Sequence, residues 1–147
     1  FGTVSAEGLQ SAHGSIDCDD GDAFFTNCQF SDFTLQNTLG NLTVSDSTLD
    51  DCEITVSDGD LTLASNQYQG SCSVIDKLGD VKLTAPSDIL QALGLQLSTG
   101  LGEIHLPEEL KKTLPESEDD LTSYTQEGAD DDALTIICKD GDISLTE

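Results

Sequence analysis

The chain has 147 residues, which is enough for one domain with a single hydrophobic core. Its 29 acidic residues stand against 5 Lys and no Arg, so the formal net charge is −24 at pH 7. Nucleic acids and anionic membranes are bound mainly through Lys and Arg, and this charge therefore excludes both as partners.

No stretch of the sequence approaches the roughly 18 apolar residues that a membrane-spanning helix needs. The chain begins at Phe1 rather than Met, which indicates a processed or truncated piece. Aromatic residues make up only 5% of the composition, and Trp and Met are absent. This composition favours short strands joined by many turns over helices packed on one another.

A glycine-anchored repeat runs through the chain. The anchors are Gly2, Gly21, Gly40, Gly59, Gly79, Gly102 and Gly141. The residues two and four positions after each anchor are all apolar, namely Val4, Ala6, Ala23, Phe25, Leu42, Val44, Leu61, Leu63, Val81, Leu83, Ile104, Leu106, Ile143 and Leu145. An apolar content of 36% would give about five such residues by chance. The alternation predicts a strand with one buried face at the start of each coil, a coil being the segment that opens on one anchor.

A second arm precedes each following anchor. The residues five positions before it are Ile16, Leu35, Ile54, Val74, Leu97 and Ile136, and those seven positions before it are Gly14, Phe33, Cys52, Cys72, Leu95 and Leu134. Between the arms, Phe30, Leu49 and Tyr68 form a third apolar position, which predicts a short strand or a rounded corner. Both arms thus indicate strands that stack in register from coil to coil.

The extra residues of the longer coils fall between the arms. Residues 107–112 are predicted to form one or two helical turns with Pro107 at the start, and residues 87–90 are predicted to cap a short helix. The acidic run at residues 116–120 is predicted to be a solvated loop. We expect the whole insertion, about residues 107–130, to cover a lateral face or a coil end.

The phrase Gly-Asp-aliphatic-x-Leu occurs at residues 59–63, 79–83 and 141–145. With a period near 20 residues, it resembles the bacterial adhesin domains of unknown function that occur in surface and envelope-stress-associated proteins. The resemblance covers nearly the whole chain and implies a right-handed parallel β-helix, without catalytic residues. We therefore predict an all-β, single-domain β-solenoid over residues 1–147, right-handed and parallel, with about seven coils.

Carboxylates recur directly after the anchors. Asp22, Asn41, Asp60, Asp80 and Glu103 are expected to stack in one ladder, about 4.8 Å apart, in chain order. We interpret them as turn residues that bond their own backbone and face water. A weak Ca²⁺ site on Asp22, Asp60 and Asp80 stays open, because hard carboxylate oxygens suit this ion and would otherwise repel one another.

The cysteines and histidines carry no recognisable reactive motif. Five Cys without a C-x-x-C pair argue against zinc and against a complete disulfide framework, so we predict reduced thiols that pack as small core residues. His13 and His105 are expected at the surface, and neither has a Ser or Cys spaced to suggest a triad. No cofactor is expected.

These observations favour a noncatalytic adhesion or interaction module at the bacterial cell surface or envelope, with an unknown protein or glycan ligand. The alternative is a structural β-helix that polymerises end to end, similar to bactofilins, because terminal coils are templates for edge pairing. The charge of −24 favours a monomer. A second alternative is a small glycan-active enzyme that uses a pair of outward acids.

Overall fold

The computed structural model describes residues 2–112, 114 and 121–147. In chain order these residues form β1 (Val4–Glu7), β2 (Gln10–Cys18), β3 (Ala23–Thr26), β4 (Gln29–Leu39), β5 (Leu42–Ser45), β6 (Thr48–Asp50), β7 (Glu53–Asp58), β8 (Leu61–Ala64), β9 (Gln67–Gln69), β10 (Ser71–Asp76), β11 (Val81–Thr84), α1 (Ser87–Ala92), β12 (Gly94–Leu101), β13 (Ile104–His105), α2 (Glu108–Lys111), β14 (Ser123–Gln126), β15 (Ala133–Asp140) and β16 (Ile143–Thr146). The fold is all-β, as predicted.

The strands fall into two sheets, and every coil contributes strands to both except the last, which holds only β16. The first sheet has the order β1-β3-β5-β8-β11-β16-β13. The second has the order β14-β12-β15-β10-β7-β4-β6-β9, and β2 also pairs with β4. Among the described residues, the pairs are parallel except β12 with β14, which is antiparallel. This arrangement is that of a β-solenoid.

The predicted inward register is confirmed. Val44, Leu63 and Leu83 are direct neighbours across β5, β8 and β11, and all three are fully buried. The third apolar position is also confirmed, because Phe30 at the start of β4 pairs with Leu49 of the short strand β6, which in turn pairs with Tyr68 of the short strand β9. A single core therefore fills the stack between the sheets.

The predicted chain order of the coils is wrong at the C-terminal end. Strand β16 of the last coil lies between β11 and β13, and strand β15 lies between β10 and β12. The 38 residues between Gly102 and Gly141 give the chain enough length to run past this position and return to it. Strands β15 and β16 therefore form an internal layer with partners on both sides, and the C-terminal strand is not an exposed end.

The insertion at residues 107–130 covers a coil end, as predicted, where the structure describes it. Its strand β14 pairs with the outer edge of β12, and Tyr124 of that strand is buried. The two short helices are confirmed as α1 and α2. Ser87 does not cap α1, however, because Pro86 occupies the N-cap and no side chain bonds there. The predicted loop at residues 116–120 lies outside the described residues.

Candidate functional site

Six anchor glycines follow one another along the stack and define what we call the glycine corner: Gly21, Gly40, Gly59, Gly79, Gly141 and Gly102. A Cβ built on any of them would overlap the carbonyl of the glycine in the neighbouring coil. Gly21, Gly40, Gly59, Gly79 and Gly141 also have φ between +118° and +148°, which side chains disfavour. The repeat needs glycine at this corner for both reasons.

The residue after each of these glycines belongs to an outer ladder, which reads Asp22, Asn41, Asp60, Asp80, Asp142 and Glu103 along the stack. In each of the first five, the side-chain Oδ1 accepts the backbone N–H of the next member, at N···O distances of 2.8 to 2.9 Å. From the second coil onward, the ladder thus links each coil to its neighbour in the stack through a side-chain acceptor.

The ladder corrects two predictions. Its members bond the backbone of the neighbouring coil rather than their own. Asp142 also stands between Asp80 and Glu103, because the last coil is internal. The candidate metal residues Asp22, Asp60 and Asp80 do share the ladder, but Asn41 separates the first two. Within the described residues, no group of three or more His, Cys, Asp or Glu side chains is arranged to hold a metal ion.

A second set of residues, which we call the inner column, lies three positions before the same glycines. In stacking order it is Cys18, Asn37, Val56, Asp76, Cys138 and Thr99, all buried. Asn37 Nδ2 donates to the carbonyls of Gly21 and Gly40, and Thr99 Oγ1 donates to that of Gly141 at 2.8 Å. The polar members of this column therefore satisfy carbonyls of the glycine corner from inside.

Asp76 is the exception in the inner column. It is fully buried, and neither carboxylate oxygen has a hydrogen-bond partner within the described structure. Burial, followed by repulsion from Asp60, raises the pKa of Asp76 from 3.8 to about 7. The Leu78 amide favours the charged form, but its geometry falls short of a hydrogen bond. A protonated Asp76 gains a donor, which suits a position that faces glycine carbonyls.

The five cysteines are free and buried, in agreement with the prediction of core thiols. Burial raises the pKa of Cys52 and of Cys138 to about 11, with the neighbouring Cys72 and Asp76, respectively, as the next cause. Cys138 Sγ donates to the Gly79 carbonyl at 3.2 Å. The thiols of Cys52 and Cys138 therefore stay protonated at neutral pH and act as packing atoms and weak donors.

Both histidines are exposed, as predicted, and each lies beside an aspartate. His13 Nδ1 is 3.1 Å from Asp32 Oδ2, and His105 Nε2 is 3.7 Å from Asp142 Oδ2. His105 thus stands next to the outer ladder, at the end of the stack that the insertion covers. Exposed pairs of this kind contribute little to stability.

A cleft of about 480 Å³ lies where the insertion meets the second sheet. Its lining includes Glu127, Asp130, Asp131 and Asp132. Asp132 Oδ1 accepts the Gly70 backbone N–H at 2.9 Å, so this carboxylate joins the short segment after the insertion to the neighbouring coil.

The comparison with protein families gives a match over almost the whole chain. The family model described as Toastrack DUF4097 matches residues 1–146. The chain belongs to this family. A Toastrack domain is β-solenoid-like and its function is uncharacterised, so the match supports the fold and leaves the adhesin role as a proposal. No curated protein and no solved structure matches the chain significantly. Neither short helix in the described residues has the length and apolar character needed to cross a membrane.

Sequence reasoning missed the inner column, although a signal for it existed. The second arm alternates at seven and five positions before each anchor, and one further step of two reaches Asn37, Asp76 and Thr99. Asp142 was missed as a neighbour of Asp80 for a different reason. No periodic signal indicates that the last coil inserts between two earlier ones.

Proposed function

We propose that this domain is a noncatalytic interaction module at the bacterial cell surface or envelope, and that its outer ladder presents a rigid row of carboxylates to a partner. We further propose that the solenoid is a right-handed parallel β-helix of about seven coils. The partner is a protein or glycan with cationic groups, because the charge of −24 attracts such a surface over long range.

The observation that carries this proposal is the bonding of the ladder. Each Oδ1 from Asp22 to Asp142 is fixed by an amide of the next coil, so the carboxylates are held in place before any partner arrives. Preorganised charges lose little conformational entropy on binding. Asp60, Asp80 and Asp142 are half-buried and Glu103 is exposed, which leaves part of each side chain open to solvent.

The ladder provides its own test, because Asn41 shows that an amide oxygen serves equally well as the acceptor. The triple variant Asp60→Asn, Asp80→Asn, Asp142→Asn should keep the hydrogen bonds and lose three charges. The control variant Asp17→Asn, Asp46→Asn, Asp88→Asn removes the same charge at exposed positions away from the ladder.

Titration calorimetry with a 20-residue oligolysine would compare the two variants with the unaltered domain. We expect the ladder variant to bind at least about five times more weakly than the control variant, and Asn41→Asp to bind more tightly. Equal affinities for the two triple variants would contradict the proposal. Release of reducing ends from neutral glycans incubated with the domain would contradict its noncatalytic part.

End-to-end assembly is a second candidate, favoured by the first coil. Strand β1 is the last strand at its end of the first sheet, and Val4 and Leu9 are 41% and 37% exposed there. Light scattering over a range of protein and salt concentrations would test it. A mass that rises with both concentrations supports assembly, and a constant monomer mass excludes it.

A further inference from the structure

Exposed leucines concentrate on the glycine corner. Of the four leucines with large exposed fractions, Leu39, Leu78 and Leu101 each directly precede a corner glycine. Their exposed fractions are 47%, 50% and 71%. The fourth, Leu9, lies in the first coil, and fourteen other leucines are buried in the core. Chance placement does not explain why the exposed leucines share one structural position.

The residues directly before the corner glycines form a column that alternates between acid and leucine. Its order is Asp20, Leu39, Asp58, Leu78, Asp140 and Leu101, because the N–H of each corner glycine from Gly21 to Gly141 donates to the carbonyl of the next member of the column. Leucines therefore recur at every second coil, about 9.6 Å apart. We call this column the leucine ridge.

The outer ladder runs beside the leucine ridge, only two positions further along the chain in every coil. Asp60, Asp80, Asp142 and Glu103 thus flank the leucines on one side. On the other side lie Lys77, whose Nζ is 3.3 Å from Ser57 Oγ, and Lys139. The surface combines regularly spaced apolar side chains with a strong excess of carboxylates.

Building on the proposed function, we propose that the leucine ridge binds a cationic amphipathic helix of a protein partner. A helix repeats one face every seven residues, which is about 10.5 Å and close to the spacing of the ridge. An extended strand shows the same face at about 6.8 or 13.6 Å, which does not match. Lys or Arg beside the apolar face of the helix would meet Asp58, Asp140 and the outer ladder.

A second copy of this domain does not suit the same surface. Two copies joined ridge to ridge would place one row of carboxylates against another, and juxtaposed like charges oppose binding. A neutral apolar partner would leave the carboxylates desolvated and unpaired. Charge complementarity therefore selects a cationic helix.

The test uses two 21-residue peptides of equal Leu and Lys content. One places leucines on a single helical face every seven residues, and the other has a scrambled order. Oligolysine, which has no leucine, measures the purely electrostatic part of the binding. The ridge variant is Leu39→Thr, Leu78→Thr, Leu101→Thr, and the control variant is Leu9→Thr, Phe24→Thr, Ile137→Thr, which removes three exposed apolar side chains elsewhere.

We expect the unaltered domain and the control variant to bind the patterned peptide about ten times more tightly than the scrambled one. The ridge variant should lose this preference and bind oligolysine as before. If the triple variant fails to fold, as judged by circular dichroism, the single variant Leu101→Thr carries the test, with a loss of about threefold expected.

An unchanged preference in the ridge variant would overturn the inference while oligolysine binding still supports the acidic interaction module. If the unaltered domain does not bind oligolysine, both the proposed function as an acidic interaction module and the inference about the leucine ridge are rejected. A mass of two domains in light scattering without peptide, abolished by the ridge variant, would identify a second copy as the occupant and likewise overturn the inference.

Discussion

Asp76 and Asp80 lie on opposite sides of Gly79 and show what position at the corner does to the same side chain. Asp80 is in the outer ladder, where its Oδ1 accepts the Asp142 N–H at 2.9 Å. Asp76 is in the inner column, fully buried and without a hydrogen-bond partner among the described residues. The outer face of the corner offers amides, which carboxylates accept, and the inner face offers carbonyls, which need donors.

The outer ladder is therefore a surface that is accessible to a binding partner, whereas the inner column is an interior position that favours uncharged side chains. In the outer ladder, backbone N–H groups of the neighbouring coil donate to the side-chain oxygens and hold them in place. The inner column uses Asn37, Thr99 and Cys138 as donors to glycine carbonyls. Asp76 fits this column only as the protonated acid.

A substitution in the glycine corner should have the largest effect on stability, because the outer ladder and the inner column both bond to the backbone there. Gly59→Ala places a Cβ against the Gly40 carbonyl at a φ of +143°. We expect a loss of more than about 4 kcal/mol in the free energy of unfolding, or no folded protein. The control Gly8→Ala has φ +69° with no atom within 4 Å of its Cβ, so it should cost about 1 kcal/mol. Similar urea midpoints for the two variants would show that the close approach at the corner does not require glycine.

In the strands, as at the corner, inward side chains should contribute much more to stability than outward ones. Leu63 is fully buried between Val44 and Leu83, and Leu63→Ala should cost about 2–5 kcal/mol. Its outward neighbour Thr62 is half-buried, and Thr62→Ala should change stability by about 0.5 kcal/mol or less. Urea denaturation of both variants checks this, and equal midpoint shifts would show that the assigned faces are wrong.

Replacement of Asp76 by Asn should stabilise the domain at pH 8 by about 1–3 kcal/mol, because the amide donates to carbonyls as Asn37 does. The gain should shrink at pH 5. The pKa of Asp76 is about 7 in the folded chain against an ordinary 3.8, so the folded state holds the proton across this window. The contribution of the protonated Asp76 carboxyl to the free energy of unfolding is fully present below about pH 4 and is lost as the pH rises through 7.

The matched control is Asp80→Asn, which keeps the ladder acceptor and should change stability by about 0.5 kcal/mol or less at either pH. Thermal melts of both variants at the two pH values give the comparison. If Asp76→Asn were destabilising at pH 8, this would contradict the view that side chains on the inner face of the corner must donate hydrogen bonds to the glycine carbonyls.

Salt should produce the smallest effect. Neighbouring ladder carboxylates repel, and screening relieves this as the Debye length falls from about 10 Å at 0.1 M salt to about 3 Å at 1 M. We expect NaCl to raise the melting temperature and CaCl₂ at equal ionic strength to do no more. A rise of many degrees at low millimolar Ca²⁺, abolished by Asp60→Asn, would instead make the ladder a metal site.

The sequence was sufficient for the fold of the first five coils, because the anchors and the alternation around Val44, Leu63 and Leu83 reflect the same burial in every coil. It was not sufficient for the order of the last two. Strand pairing depends on matching inward faces, and both Ile143 and Ile104 carry an apolar side chain that could pair with Val81. In the structure Ile143 pairs with Val81, and Ile104 pairs with the other side of Ile143. The insertion and its strand β14, which pairs with the outer edge of β12, carry no repeat from which this order could be predicted.

The candidate site was predicted only in part. The ladder residues Asp22, Asp60 and Asp80 follow from their place after the anchors, but their bonds to the next coil depend on backbone geometry that a pattern does not contain. Asp76 was hidden because a charged residue usually indicates an exposed position. Its burial became visible only when Val56 and Cys138 were seen on either side of it.

The ionisation of Asp76 tests the two-sided corner most directly. Selective ¹³C labelling of aspartate, with Asp76→Asn to assign the resonance, allows the carboxyl to be followed by NMR from pH 3 to pH 9. We expect a titration midpoint of about 7 for Asp76 in the folded domain. A midpoint near the ordinary aspartate value of 3.8 would contradict it, because the inner face would then stabilise a charge that the structure leaves without a partner.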